Sequence, residues 1–469
     1  MSAEVEESPA TPVGAPSRWP VWRLWRPGRP DLLPLALVLV VVAAASAYLM
    51  RHETHFGPID EFQHFNYVTE VAYHHRIPVP GDVFTPEAMR SFACHSVPRG
   101  ANPLRCDASS FDPADFQTGG RGTASGYPPA YYVPTAVVAW VISKATGAHD
   151  LFYPARIASM LWLLLGVALT YLLARSFAAG RWLAAGIAVL AAAGPMVLYQ
   201  GSTVNPDSMS LLAGAATAAA WLALRGVPGR RALILLWAVL AFVALIKPNF
   251  LAVPIAVALA EIALAARGGG RALVTRATWS PRRPTTRVLL AAVGAVALGV
   301  AWPVYFRLVE GVASARVPGS AAFGAAPWDA DAALRGWAAS LTNIVGLPKV
   351  ALLNSGAGLL LAAVVNVLVV SGAVAATLLY RRRELPDNAV SSGEAPPVDA
   401  VRALGYLGVA SLLIAAPVTY AIVAASGAFI VYPTRYSLFI VPIGLVALLA
   451  ISARPSRQAT PDETSRTPA

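Results

Sequence analysis

The chain has 469 residues, of which 56% are hydrophobic and 13% charged, and it carries a formal net charge of +11. A soluble domain has roughly 25% charged residues, so the composition excludes one and describes an all-α polytopic membrane protein. The positive charge does not call for nucleic acid as a partner, because the arginines stand in short clusters between apolar runs, where they report topology.

Residues 1–30 are polar and rich in Pro and Arg, and the first apolar run after them is long enough to span, with no small-residue cleavage site behind it. They read as a cytoplasmic disordered tail rather than a cleavable signal, and residues 455–469 read as a second such tail. Between them a membrane domain is expected over 31–454. Apolar runs of spanning length lie at 32–50, 156–174, 182–200, 207–225, 232–247, 250–266, 288–308, 357–380, 403–424 and 436–453. About ten transmembrane helices are therefore expected.

Behind the first run comes Pro58-Ile59-Asp60-Glu61-Phe62-Gln63-His64-Phe65. Two adjacent carboxylates beside a membrane are costly to desolvate, which makes Asp60 and Glu61 candidates for a base, a metal ligand or a cation site. A helix N-terminus also favours acidic residues in its first turn. An amphipathic helix is expected from here to about His75. On it His64 lies four residues from Asp60 and three from Glu61, within reach of either. The two cysteines, Cys94 and Cys106, follow in the same polar segment, 51–128. On an oxidising side of the membrane they would form a disulfide. On a reducing side they would stay thiols.

A shorter apolar run, Ala130–Ile142, follows Tyr127-Pro128-Pro129 and decides the orientation of everything behind it. Arg18, Arg23, Arg26 and Arg29 place the N-terminus inside. If this run does not span, then Arg175/Arg181, Arg225/Arg230/Arg231, the cluster Arg267 to Arg287, Arg381-Arg382-Arg383 and Arg454 all fall inside as well. If it spans, most of them face out. The arginines thus favour a juxtamembrane helix over 129–147, with Tyr131, Tyr132 and Trp140 in the aromatic belt.

With that topology the polar groups gather on the outer side. Tyr127-Pro128-Pro129-Ala130-Tyr131 opens the juxtamembrane helix, whose N-terminus could receive an anion. Arg156 starts the second span. Asn205-Pro206-Asp207 caps another, where Asp207 could simply compensate the helix dipole. Lys247-Pro248-Asn249 places a lysine at the boundary, either to bind an anion or to snorkel. Arg435, in Tyr432-Pro433-Thr434-Arg435-Tyr436, breaks the positive-inside pattern. A phosphate partner or an ion pair would explain it.

These motifs, in this order and on one side, resemble the GT-C superfamily of integral membrane glycosyltransferases. The likeness is to its protein O-mannosyltransferase and aminoarabinose-transferase branches, and to an uncharacterised bacterial polytopic membrane family within it. It covers roughly residues 30–250, through Asp60-Glu61, Tyr127-Pro128-Pro129-x-Tyr131, Ala155-Arg156-Ile157 and Asn205-Pro206-Asp207, with Tyr432-x-x-Arg435-Tyr436 near the end. It implies an inverting transfer of a sugar from a polyprenyl-phosphate donor to an envelope glycan, lipid or protein acceptor, outside the bacterial cytoplasmic membrane. Asp60 or Glu61 would be the base, with the lean to Asp60. His64, Tyr127, Tyr131, Arg156, Asn205, Asp207, Lys247 and Arg435 would line the substrates. No cofactor is called for. A divalent cation is compatible with the residues without being implied, since Asp329-Ala330-Asp331 lies late in a Pro/Gly/Ala-rich loop and not in the first outer loop. The chain departs from the superfamily in having no sizeable soluble domain after its last span. A transporter or lipid flippase is the alternative, and a non-catalytic scaffold for envelope assembly a third.

Overall fold

The computed structural model describes residues 29–452, apart from 59, 80, 97–103, 178, 227–228, 268–282, 310–329, 343, 345–355, 379–397 and 426–433. The two tails therefore lie outside the described residues, except that the first helix already begins at Arg29. Among the described residues the secondary structure is helical, with one isolated bridge between Val83 and Arg121.

Each of the ten apolar runs forms helix. Seven helices are long and apolar enough to cross a membrane. They are α1 (Arg29–His52), α5 (Phe152–Ser176), α8 (Ser210–Gly226, with the turn that precedes it), α10 (Ala252–Arg267, likewise), α11 (Pro284–Val309), α13 (Gly356–Leu378) and α14 (Val398–Ala425). An eighth results if α6 (Arg181–Ala193) and α7 (Pro195–Gly201) count as one span, bent by 77°. The break falls at Gly194-Pro195, where proline lacks the N–H a continuing helix needs and instead occupies the first position of a new one.

Two of the expected spans are shorter than the sequence suggests. The run 232–247 becomes α9 (Arg230–Ala244), because Lys247-Pro248 stops it. The run 436–453 becomes α15 (Ile440–Ser452), because its first residues form the 3-10 turn Thr434–Ser437. At 1.5 Å per residue these helices cover about 20–22 Å, less than the ~30 Å of a bilayer core. The juxtamembrane segment is α4 (Tyr132–Thr146), also too short to span on its own. It buries Tyr132, Thr135, Ala136 and Ala139 and exposes Val133, Val137, Trp140 and Val141. The remaining helices are α2 (Glu61–His74), α3 (Pro86–His95) and α12 (Ala330–Thr342).

The bundle has two polar ends. At one, Asp31 accepts from Arg175 Nε at 2.7 Å and from Tyr171 at 3.0 Å, joining α1 to α5. At the same end Glu261 accepts from Trp221 Nε1 (3.0 Å), Arg225 and Thr285, joining α8, α10 and α11. The opposite end carries α2, α3 and α4, tied on by Ala130 N–H to the Leu245 carbonyl (3.1 Å) and Trp302 Nε1 to the Gly126 carbonyl (3.0 Å). Between the ends small residues let helices touch. A Cβ on Gly372 of α13 would stand 2.0 Å from the Gly444 carbonyl of α15, the close approach typical of membrane helices.

Candidate functional site

Spans α8 and α10 are entered through the same local device. An extended residue is followed by proline at the first position of a 3-10 turn, Pro206–Met209 and Pro248–Leu251. Proline costs nothing there because the first N–H groups of a helix have no internal partner. Asn205 Oδ1 accepts from Asp207 N–H at 3.0 Å and closes the first of these turns. The two turns bring Asp207 and Lys247 together. Lys247 Nζ lies 3.2 Å from Asp207 Oδ2, with both side chains buried, and 4.6 Å from the centre of the Tyr436 ring. Arg435 belongs to the turn Thr434–Ser437, but its side chain lies outside the described residues.

The Asp60-Glu61 pair is split by the helix it begins. Asp60 is the residue before α2, in the left-handed region at φ 55°, and it is exposed. Its side chain does not cap the helix. Glu61, one residue on, is 1% exposed. Arg156 Nε donates to Glu61 Oε1 at 2.7 Å and Arg156 Nη2 to Oε2 at 2.7 Å. Gly57 N–H (2.6 Å) and Val204 N–H (2.9 Å) donate to the same two oxygens. The guanidinium is as fully occupied. It also donates to the Glu53 and His55 carbonyls and stacks 4.1 Å over the Phe152 ring. One ion pair therefore pins together the loop after α1, the start of α2, the first turns of α5 and the segment leaving α7. Both oxygens of this carboxylate are thus taken up, each by one guanidinium nitrogen and one backbone N–H.

The other groups singled out by sequence are mostly packed inside. His64 is 2% exposed and its Nδ1 is 2.8 Å from the Tyr132 hydroxyl. Tyr132 in turn stacks on Tyr67 at 3.7 Å, and Tyr67 donates to the Tyr127 carbonyl at 3.1 Å. The Tyr131 hydroxyl is 2.7 Å from Ser159 Oγ. Asn205 is fully buried. Arg156, expected at the opening of its span, sits one turn inside it, since the helix begins at Phe152. The structure thus brings Glu61, Arg156 and Val204 into one cluster and Asp207, Lys247 and Tyr436 into another, and leaves Asp60 at the surface beside the first.

Cys94 and Cys106 are joined in a disulfide. Next to it, His95 Nε2 lies 3.1 Å from Asp150 Oδ2 and the imidazole stacks on Phe152 at 4.0 Å. Ser91 donates to the same Asp150 oxygen at 3.1 Å. Burial pushes the Asp150 carboxyl up, but the hydrogen bond and charge of His95, the Phe152 N–H and the Ser91 hydroxyl together outweigh it and hold it below the usual carboxylate range. This contact docks α3 against the start of the helix that carries Arg156.

Some participants escaped the sequence reading. Tyr132 stands in a Tyr131-Tyr132 doublet noted only for the aromatic belt. Away from the site, at the other end of the bundle, Glu261 is a lone carboxylate inside an apolar run, and an intramembrane acid by itself announces a partner. Val204 contributes only its backbone, which no side-chain pattern could reveal. Among the described residues, no three His, Cys, Asp or Glu side chains converge as metal ligands would. Asp331 pairs with Arg335 on α12, both side chains exposed, and Asp329 lies outside the described residues.

The chain belongs to a family described as predicted membrane protein (DUF2142), whose model matches residues 34–381. None of the curated proteins compared with it matches.

Proposed function

Taking that membership as the premise, we propose that the protein is a membrane glycosyltransferase working at the end of the bundle that carries α2–α4, and that this end faces out of the bacterial cytoplasmic membrane. The donor is a sugar on a polyprenyl phosphate and the acceptor a hydroxyl of an envelope glycan, lipid or protein. Asp60 takes the proton of the acceptor hydroxyl as its oxygen attacks the anomeric carbon. The bond from that carbon to the phosphate oxygen breaks, the configuration inverts, and the polyprenyl phosphate leaves. Arg435 supplies the positive charge that the leaving phosphate needs. Lys247 and Arg156 are assigned to ion pairs, and Glu61 to holding the site rather than to moving a proton.

The observation that carries this reading is the split of the carboxylate pair. Glu61 is locked by Arg156 and two backbone N–H groups, and this fixes the backbone that presents exposed Asp60 in a left-handed conformation. Non-glycine residues held in the left-handed region cluster at functional sites. The test is Asp60→Asn in the native host, with envelope glycans read by mass spectrometry. Loss of one modification at normal protein level is expected. Unaltered glycans would reject the assignment.

One observation favours the alternative of a transporter or lipid flippase, namely the span broken at Gly194-Pro195. No ionisable residue stands at that break, whereas transporters put their ion and substrate groups there. This ranks the alternative second.

A further inference from the structure

A cavity of about 320 Å³ lies between α1, the bent pair α6–α7 and the first turns of α13. Its volume is at the lower end of ligand pockets, about 300–1,000 Å³. Every residue lining it is Val, Ala, Pro, Leu or Gly, among them Val42, Ala192, Pro195, Leu198, Ala357 and Leu361. A lining without a polar side chain gives water few of the partners it needs. It lies in the half of the bundle nearer the α2–α4 end. Its α1 residues sit about 10–17 Å before His52 at 1.5 Å per residue, and α13 contributes only its beginning. The floor is closed, with Val42 at 3% and Ala192 at 1% exposure, while Val41 on the rim is 53% exposed. Leu359 and Leu360 beside the other rim are exposed as well. In a membrane protein these apolar surfaces meet lipid, so the cavity is continuous with the hydrocarbon of the leaflet next to the site.

The same short helix joins the cavity to the site. Leu198 lines the cavity, and Tyr199, the next residue, packs so closely on Gly57 that a Cβ there would stand 2.2 Å from the tyrosine hydroxyl. Three residues past the end of α7, Val204 N–H holds Glu61. We infer that this cavity receives the isoprenoid segment adjoining the phosphate of the lipid-linked donor, entering sideways from the leaflet, with the phosphate at the Asp60 surface. The inference rests on the donor class proposed above, and it adds where the chain lies and which residues accept it.

The experiment uses the full chain in proteoliposomes and two photoreactive probes. One is a long-chain isoprenoid monophosphate with a diazirine near its phosphate, and the other a diazirine-bearing phosphatidylglycerol. The isoprenoid probe is expected to label peptides of α1, α7 and α13. Filling the cavity by Leu361→Trp should lower that labelling several-fold while the protein still inserts and elutes as one species. Ala357→Trp, at the exposed rim where added bulk meets lipid and not core, is the companion variant and should do the same. Equal labelling of wild type and both filled variants, labelling by the phospholipid probe alone, or labelling by neither probe overturns the inference. Asp60→Asn should keep full labelling. If it also leaves envelope glycans unchanged while the filled variants lose label, the transfer reading falls and the chain site stands.

Discussion

At residue 60 the backbone decides which substitution is informative. Asp and Asn tolerate φ > 0 better than other residues with a side chain, so Asp60→Asn removes the carboxylate without disturbing the turn. Its unfolding midpoint should match wild type while the glycan product is lost. At residue 61 the opposite is expected. Removing one partner of a buried, hydrogen-bonded ion pair costs about 3–5 kcal/mol, because the other charge is left uncompensated. Glu61→Gln and Arg156→Gln should each lower the thermal midpoint strongly in detergent. The double substitution should cost less than the two singles added together, since both remove the same interaction. Additive losses would show that the two residues do not act as a pair.

Two contacts between elements give separate tests. Gly372→Ala drives a methyl into the Gly444 carbonyl, and overpacking of this kind costs about 1–3 kcal/mol. It should lower the thermal midpoint with no change in the α2–α4 end, as read by limited proteolysis of the 51–128 segment. The α3–α5 contact responds to pH instead. The pKa of Asp150 is depressed in the folded protein. Its stabilising contribution is therefore complete above the unfolded value of about 3.9, and it is lost as pH falls through the lower folded value. After correction for intrinsic rates, hydrogen-exchange protection of α3 should drop below about pH 4. Asp150→Asn should abolish that dependence, and identical protection at both pH values in wild type would refute the role given to the pair.

For the whole molecule the open quantity is orientation, and the proposal that the α2–α4 end faces out is directly testable. In a Cys94→Ser/Cys106→Ser background, Trp182→Cys at the start of α6 should react with a membrane-impermeant maleimide only after permeabilisation. Reaction in intact cells would reverse the assignment and with it the side on which any transfer occurs. The fold was largely legible in the chain. Ten apolar runs became helices because burying a backbone in lipid requires its hydrogen bonds to close within each segment. Helix ends were legible where a proline marks them, as at Pro206 and Pro248. They were missed where an apolar run opens in a 3-10 turn before its helix begins, as at Thr434–Ser437 ahead of Ile440. The site was legible as a set of residue types but not as a set of partners.

By itself, then, the sequence determined that the chain is an all-α membrane protein, where most of its spans lie, and which few polar residues are costly enough to need a reason. Hydropathy and proline act locally, and local physics can be read along one dimension. Only the tertiary structure decided that adjacent carboxylates have opposite fates, with Glu61 buried against an arginine 95 residues away and Asp60 left at the surface. Sequence adjacency does not settle burial. The start of a helix turns one side chain inward and leaves its neighbour outside. The partners that meet the inward one come from α5 and from the backbone behind α7, places that only the packing of the bundle brings together.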